Sequence, residues 1–384
     1  MKILIVIHYF PPHIGGMEEV SKSQAGSLAA LGHDVVVLTC RHDRRVPAGE
    51  STGAGYRVRR FRALNFIESR FGVTFPIVSP SFIWSAYREA RDADVVHIHD
   101  VFYPTSHSAA LATRLAGKPF VMTQHVALVD FPNRLVMAAQ RIVYRLAGRP
   151  MLRAARTIVT YNDNVRSFVT GMGIDPDKVL LNHNGVDTGF FAPCSPTERL
   201  VLRERHNLPA SRPIVLFVGR LVPKKGYDIA YRARSEGYLT VIVGNGYVET
   251  GISDDEDVRF FGPADRDQLQ DLYRLSDVFV FPAVGEIFTL VMQEAMACGL
   301  PVVTTDDPGY AGYDLDRSRV ALVERSAEAV RAALTRIVSD PDLAHRMSGY
   351  SRELAVQRFS WDANYPREFA IYGAPAQRTE ENVR

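Results

Sequence analysis

Apolar runs of four to eight residues alternate with longer stretches of helical period along most of the chain. ILIVI (3–7) precedes a helical stretch over 17–31, VVVLT (35–39) comes next, and DVVHIH (94–99) and TIVT (157–160) follow. Unbroken apolar runs suit strands that are covered on both faces, and their alternation with helices predicts an α/β fold with parallel sheets. A second series starts at PIVLFVG (213–219) and continues through LTVIVG (239–244), VRFFG (258–262), VFVFP (278–282), PVVTT (301–305) and VALV (320–323). Two α/β domains in tandem are expected.

Between the two series lies APCSPTERLVLRERHNLPASRP (192–213), where Pro193, Pro196, Pro209 and Pro213 interrupt the period and charges crowd. Such a stretch reads as a domain boundary. The expected division is an N-terminal domain over 1–191, a linker over 192–212 and a C-terminal domain over 213–360. A length of 384 residues agrees with this, because a single hydrophobic core stops growing at roughly 250–300 residues. In open α/β sheets ligands bind beyond the carboxyl ends of the strands, so two such domains facing each other would form an interdomain cleft.

Composition narrows the class. With 46% hydrophobic and 23% charged residues and a net charge of +2, the chain reads as globular, and its charge gives no case for a nucleic-acid partner. Cys40, Cys194 and Cys298 are odd in number and widely spaced, so neither a disulfide framework nor a zinc knuckle is indicated. The five-residue run at the start is shorter than a signal-peptide core, and no run of about 18 apolar residues follows. A cytoplasmic protein is the expectation.

Candidate chemistry sits after the strands. In HYFPPHIGGMEEV (8–20), Gly15 and Gly16 permit a tight turn into a helix, whose N-terminus suits an anion. The dinucleotide fingerprint GxGxxG is missing, and no acid follows the second strand to hold a ribose. At the matching place in the second series, VGRLVPKKGYD (218–228) puts Arg220, Lys224 and Lys225 in a glycine-containing loop, where a planar guanidinium and a mobile ammonium suit a diphosphate.

GEIFTLVMQEAMACGLPVV (285–303) places Glu286 and Glu294 eight positions apart, with Thr289 as the expected cap of a helix that ends before Gly299 and Pro301. Eight residues of one helix span about 12 Å, more than the roughly 5–9.5 Å between glycosidase carboxylates, so a paired-carboxylate hydrolase is disfavoured. The backbone amides near Thr289, Leu290 and Val291 instead form an anion site beside Glu286. Glu294 is then placed to accept hydrogen bonds from vicinal hydroxyls such as those of a ribose, and Glu286 from those of a sugar.

Together these residues resemble the GT-B glycosyltransferases of the large retaining family 4, glycosyl transferases group 1. The E-x7-E motif, the G-R-x-x-x-x-K-G loop and EAMACGLPVV occur in the family's order, with Gly15-Gly16, DVVHIH, TQH (123–125), NGVD (184–187), VGNG (243–246), FFGP (260–263) and a terminal FSWD. The resemblance covers nearly the whole chain. It implies two doubly wound Rossmann-like domains facing an interdomain cleft, with a C-terminal helix, about 361–384, packing back on the first. It also implies donor contacts at Gly15, Gly16, Arg220, Lys225, Gly244, Gly262, Glu286, Phe288, Thr289, Leu290 and Glu294, with Lys224 the less certain lysine. His125 matches the family histidine near the anomeric centre, and His125, Arg220, Lys225 and Glu286 form the expected catalytic set. The expected reaction is retaining, metal-independent front-face transfer from a nucleotide-diphosphate sugar, UDP- or GDP-linked, to an acceptor hydroxyl or amine, with no separate cofactor. Rival readings are a nucleotide-sugar epimerase of the same architecture and a noncatalytic nucleotide-sugar binding subunit.

Other features are read more plainly. His97 and His99 share one strand face, but no third ligand accompanies them and no metal is assigned. Asp92-x-Asp94 and Asp255-x-Asp257 read as solvated turn acids. Thr289 stands where the family usually has glycine or serine, and residues 41–84, where acceptor recognition is expected, match nothing in the family's pattern. No acid occurs between Asp130 and Asp163, while Arg134, Arg141, Arg145, Arg149, Arg153 and Arg156 recur at near-helical spacing. Segment 134–156 therefore reads as a basic face suited to solvent, to an acidic acceptor, or to peripheral contact with anionic lipid at the inner membrane surface.

Overall fold

The computed structural model describes residues 1–13, 15–64, 77–128, 134–182, 185–246, 255–285 and 289–373. Cα proximity divides the chain into two compact units, Met1–His183 with Tyr365–Arg384, and Asn184–Asn364.

In the first unit β1 (Lys2–Val6), β2 (Asp34–Cys40), β3 (Gly49–Ser51) and β4 (Arg57–Phe61) are followed by a short antiparallel pair, β5 (Ala63–Leu64) and β6 (Ile77–Val78). β7 (Val95–His99), β8 (Phe120–Gln124), β9 (Ile158–Thr160) and β10 (Val179–Leu181) complete the strands of this unit. The main sheet runs β10-β9-β8-β7-β1-β2-β4-β3 and is parallel except where β3 pairs with β4. Ile3 of β1 lies opposite both Val35 and Val95. Side chains alternate across a strand, so the ILIVI run feeds two cores: Leu4 and Val6 meet Val36 and Ile98 on one face, while Ile3, Ile5 and Ile7 meet Val37 and Val121 on the other. Helices cover both faces, which is why neither set can be polar.

The second unit carries β11 (Ile214–Val218), β12 (Leu239–Val243), β13 (Val258–Phe261), β14 (Val278–Phe281), β15 (Val302–Thr305) and β16 (Ala321–Val323). Its sheet is β13-β12-β11-β14-β15-β16, parallel throughout. Counted within the unit this is the order 3-2-1-4-5-6, the doubly wound arrangement whose direction reverses beside its first strand. The parallel strands of the first sheet follow the same order with one strand more. The reversals fall at β1/β7 and at β11/β14. Rings of Phe217, Phe279 and Phe281 stack within the second core.

Residues 192–212 contain more than the expected linker. Pro196 occupies the first turn of a helix, Pro196–Arg205, where its missing N–H costs nothing, and Ser195 with Glu198 forms a capping box. Arg203 on that helix is buried, pairs with Asp277 at 2.6 Å and donates to the carbonyls of Leu275 and Ala210. The proline that looks like a breaker begins an element of the second unit. At the other end, the helix Trp361–Gly373 contributes its residues from Tyr365 onward to the first unit.

Candidate active site

In the second unit three loops nest beyond the carboxyl ends of β11, β12 and β14, and glycine makes the nesting possible. A Cβ on Gly244 would fall 1.8 Å from the Gly219 carbonyl oxygen, one on Gly246 2.6 Å from that of Leu221, and one on Gly226 2.3 Å from that of Pro282. All three have positive φ, +148°, +147° and +79°, a region side chains disfavour. Leu221 donates to the Asn245 carbonyl at 2.8 Å and Val284 to that of Lys224 at 3.1 Å, locking the loops together. This frame presents Arg220 and Lys224 to solvent, while half-buried Lys225 holds its Nζ 5.6 Å from the Phe281 ring. Gly262, at the end of β13, has open space where a side chain would stand, so its own position does not force glycine.

Thr289 caps a helix over Leu290–Ala297, and Gly299 follows it at φ +77°. The first amides of such a helix have no intrahelical partner. The Thr289 side chain does not supply one: its hydroxyl oxygen is buried and makes no hydrogen bond among the described residues. Glu294 faces outward from the same helix, half-buried, and its Oε2 accepts from the Tyr273 hydroxyl at 2.9 Å. Burial, reinforced by the Glu294 charge, pushes that phenol well above the usual tyrosine range, so it stays protonated and donates. Tyr273 thereby orients the Glu294 carboxylate, a contact that the sequence pattern did not reveal. Glu286 and Phe288 lie outside the described residues.

In the first unit Gly15 caps the helix Gly16–Ala30 with extended backbone, and a Cβ there would fall 2.2 Å from Oε2 of Glu18. A Cβ on Gly16 would meet nothing, so of the two glycines only the first has a side chain, that of Glu18, in the space a Cβ would take. Glu18 is buried, with its Oε1 2.5 Å from Nδ1 of His13 and 3.9 Å from Nε2 of His8. The helix start where the sequence suggests a diphosphate thus has a carboxylate of the chain beside it.

His125 follows β8 and keeps part of its surface exposed. Its Nε2 lies 2.9 Å from Nδ1 of His99. Burial lowers the His125 pKa to about 3, so the ring is neutral at physiological pH. His97 and His99 are wholly buried and stacked at 4.7 Å. Their nitrogens are engaged by protein groups: His97 Nε2 with Thr123 Oγ1 at 2.7 Å, His97 Nδ1 with the Tyr372 hydroxyl at 2.5 Å, His99 Nε2 with Gln24 Oε1 at 3.1 Å. Asp100, which follows the same strand, adopts φ +58° while buried, and burial raises its pKa to about 6. Such backbone strain concentrates at functional sites. Among the described residues no group of three His, Cys, Asp or Glu side chains is disposed to hold a metal.

The acidic pairs are tied to neighbouring cations and amides. Asp94 accepts from the Lys2 amide, Asp92 pairs with Lys2 Nζ, Asp255 with Arg234 and Asp257 with Arg212. The basic segment divides. Arg141, Arg145 and Arg153 are exposed, whereas Arg156 turns inward to the Ile371 carbonyl. No helix among the described residues is long and apolar enough to cross a membrane.

Comparison with known proteins places this geometry. The model of glycosyl transferases group 1 matches residues 198–354, and that of the glycosyl transferase 4-like domain matches residues 15–185. The chain is 30% identical to a D-inositol 3-phosphate glycosyltransferase of Mycobacteroides abscessus, across 76% of this chain and 69% of that protein. To the enzyme of the same name from Streptomyces coelicolor it is 28% identical, across 99% of this chain and 93% of the relative. Among solved structures, Anabaena HepE in complex with UDP and glucose superposes with a TM-score of 0.73 at 17% identity, covering 97% of this chain and all of that one (100%).

Proposed function

Since the chain belongs to the group 1 glycosyltransferases and has their GT-B fold, we propose that it moves a sugar, with retention and without a metal, from a nucleotide-diphosphate sugar to an acceptor hydroxyl. The observation that carries this reading is the glycine-locked cradle of the second unit. It places Arg220, Lys224 and Lys225 on the loop after β11, hydrogen-bonded to the loop after β14 that precedes Thr289. Cations and helix-start amides fixed before the reaction stabilise a diphosphate as its bond to the sugar breaks. The acceptor oxygen bonds to the anomeric carbon on the face the diphosphate leaves, and the departing oxygen takes the acceptor proton. Glu294, oriented by Tyr273, accepts from the nucleotide ribose, Glu286 from the transferred sugar, and neutral His125 stands near the anomeric centre.

The relatives' names support a polyol phosphate acceptor, and the UDP bound to HepE supports a uridine donor. Exposed Ile142 and Leu146, 56% and 71% accessible beside Arg141 and Arg145, support peripheral contact with anionic lipid as a further property of the first unit. Liposome co-sedimentation that responds to salt and to Leu146→Glu tests that contact. Transfer is tested by incubating a panel of UDP- and GDP-sugars with D-inositol 3-phosphate and reading the anomeric proton by NMR. An α-linked product from an α-linked donor, formed equally in EDTA, is expected. An inverted product, or loss of turnover in EDTA, overturns the mechanism. Epimerised donor in the absence of acceptor, or binding with neither transfer nor donor hydrolysis, turns the reading to an epimerase or a binding subunit.

A further inference from the structure

A chain of hydrogen bonds runs from the terminal helix to His125 through the interior of the first unit. Glu368, wholly buried, accepts at Oε2 from Asn182 Nδ2 at 3.2 Å and from the Tyr161 hydroxyl at 3.4 Å. Its Oε1 accepts from the amide nitrogen of Gln24. Gln24 Oε1 faces His99 Nε2 at 3.1 Å, and His99 Nδ1 faces His125 Nε2 at 2.9 Å. These residues come from six segments, with Gln24 and Glu368 separated by 344 positions.

Donor and acceptor chemistry fixes the direction of this chain. Above about pH 7 Glu368 is ionised and only accepts, which turns the Gln24 amide nitrogen to it; the same nitrogen lies 3.3 Å from Nδ1 of His97, which therefore accepts and leaves the His97 proton on Nε2, toward Thr123. The Gln24 oxygen is thereby turned to His99, and a carbonyl oxygen only accepts, so His99 carries its proton on Nε2. Burial holds the His99 pKa well below the usual value, so this ring is neutral and its Nδ1 is a bare acceptor. His125 must then donate from Nε2, which leaves its Nδ1 as an acceptor.

We propose that Gln24 and His99, oriented by Glu368, are positioning residues that hold His125 in the Nε2–H tautomer, so that its Nδ1 accepts a hydrogen bond from a substrate hydroxyl and cannot donate one. The contribution to turnover rests on the reading that places His125 at the reacting sugar; the tautomer does not. A ring held in one tautomer is already arranged for the hydroxyl it receives, the same logic by which an outer partner fixes a metal-bound histidine.

Long-range 1H–15N correlation of histidine side chains in the full chain at about pH 8, where Glu368 is ionised, tests the proposal. In the wild type, His99 and His125 are each expected with a protonated Nε2 and a bare Nδ1. In Gln24→Leu, His125 is expected to populate both tautomers, and UDP release from UDP-glucose is expected to slow at least 10-fold in kcat while KM stays within about 2-fold. A proton on Nδ1 of wild-type His125, or an unchanged tautomer in folded Gln24→Leu, overturns the proposal. The wild-type spectrum decides even where Gln24→Leu fails to fold or UDP-glucose is not turned over. A changed tautomer with unchanged kcat overturns the positioning role and locates the error in the place assigned to His125, whereas absence of transfer by the wild type with any donor falls on the transferase reading.

Discussion

The two units share one strand order and differ in how they hold their chemistry. The second exposes its cations on loops that are close in sequence, and glycines at 226, 244 and 246 let those loops lie against one another. The first buries polar groups, His97, His99, Gln24 and Glu368, in contacts that cross most of the chain. A buried polar group costs about 1–3 kcal/mol when its partner is removed, so such a network fixes geometry and resists partial change. An exposed cation on a fixed loop costs little to carry and acts when charge develops on a ligand. On the proposed reading, one sheet end meets a charge that develops in the reaction, and the other holds a fixed geometry.

Removing the cations should act on rate and spare the fold: Arg220→Ala is expected to lower kcat by roughly 100- to 1000-fold, about 3–4 kcal/mol of barrier, with less than about 0.5 kcal/mol lost in stability, as read from steady-state kinetics and urea unfolding. An equal loss in both would show that Arg220 belongs to the fold. Gly244→Ala should do the reverse, because its Cβ meets the Gly219 carbonyl. A loss of about 3 kcal/mol or more is expected in urea unfolding, while Gly262→Ala, with open space at its Cβ, should change it by under about 0.5 kcal/mol. Similar values for the two would contradict the nesting of the loops.

Acid should distinguish the units next. The pKa values of His8 and His97 are lowered to about 3 by burial, from 6.5. Groups with depressed values stabilise the fold fully above about pH 6.5, and that stability is lost as pH falls toward 3. At pH 5 each would have lost about 2 kcal/mol. Glu368 has the opposite sign: burial raises its pKa to about 7, so its contribution is present below the ordinary glutamate value and is lost as pH rises through 7. Hydrogen exchange corrected for intrinsic rates should therefore show β1 and β7 losing protection between pH 6.5 and 5, while β11 and β14 keep theirs. Parallel loss in both units would contradict this. The smallest effect is expected at Tyr273→Phe, which removes the donor to Glu294: about 1 kcal/mol weaker binding of a nucleoside diphosphate, measured by calorimetry, with no change in affinity marking the phenol as packing alone.

The same contrast decides what the sequence made legible. Strands show as unbroken apolar runs because both faces are covered, and the helix from Thr289 to Gly299 shows through its cap and stop. The cradle was readable because Gly219, Arg220, Lys224, Lys225 and Gly226 stand in one short stretch after a strand. The relay was not. His97-x-His99 looks like half a metal site, and only three-dimensional contacts reveal that Thr123, Tyr372, Gln24 and His125 occupy its nitrogens. One signal was available: Glu368 falls on the same stripe as Trp361, Tyr365, Phe369 and Tyr372, and an acid on a core-facing stripe announces a buried partner. The Pro-rich stretch before β11 misleads for a local reason, since Pro196 starts a helix as readily as a proline elsewhere stops one. The basic segment misleads for a distant one: Arg156 is drawn off the face by the Ile371 carbonyl, 215 positions away.

The central claim, that the second unit's cradle holds a nucleoside diphosphate, is tested most directly by thermal unfolding of the wild type and Glu294→Ala with UDP, GDP, ADP, CMP and dTDP at saturation. A ligand at about 100 times its Kd adds about 2.7 kcal/mol, a rise of several degrees. Such a rise is expected for one nucleoside diphosphate above the rest, UDP, and is expected to be lost in Glu294→Ala. No rise with any of the five, or an equal rise in the variant, would contradict it.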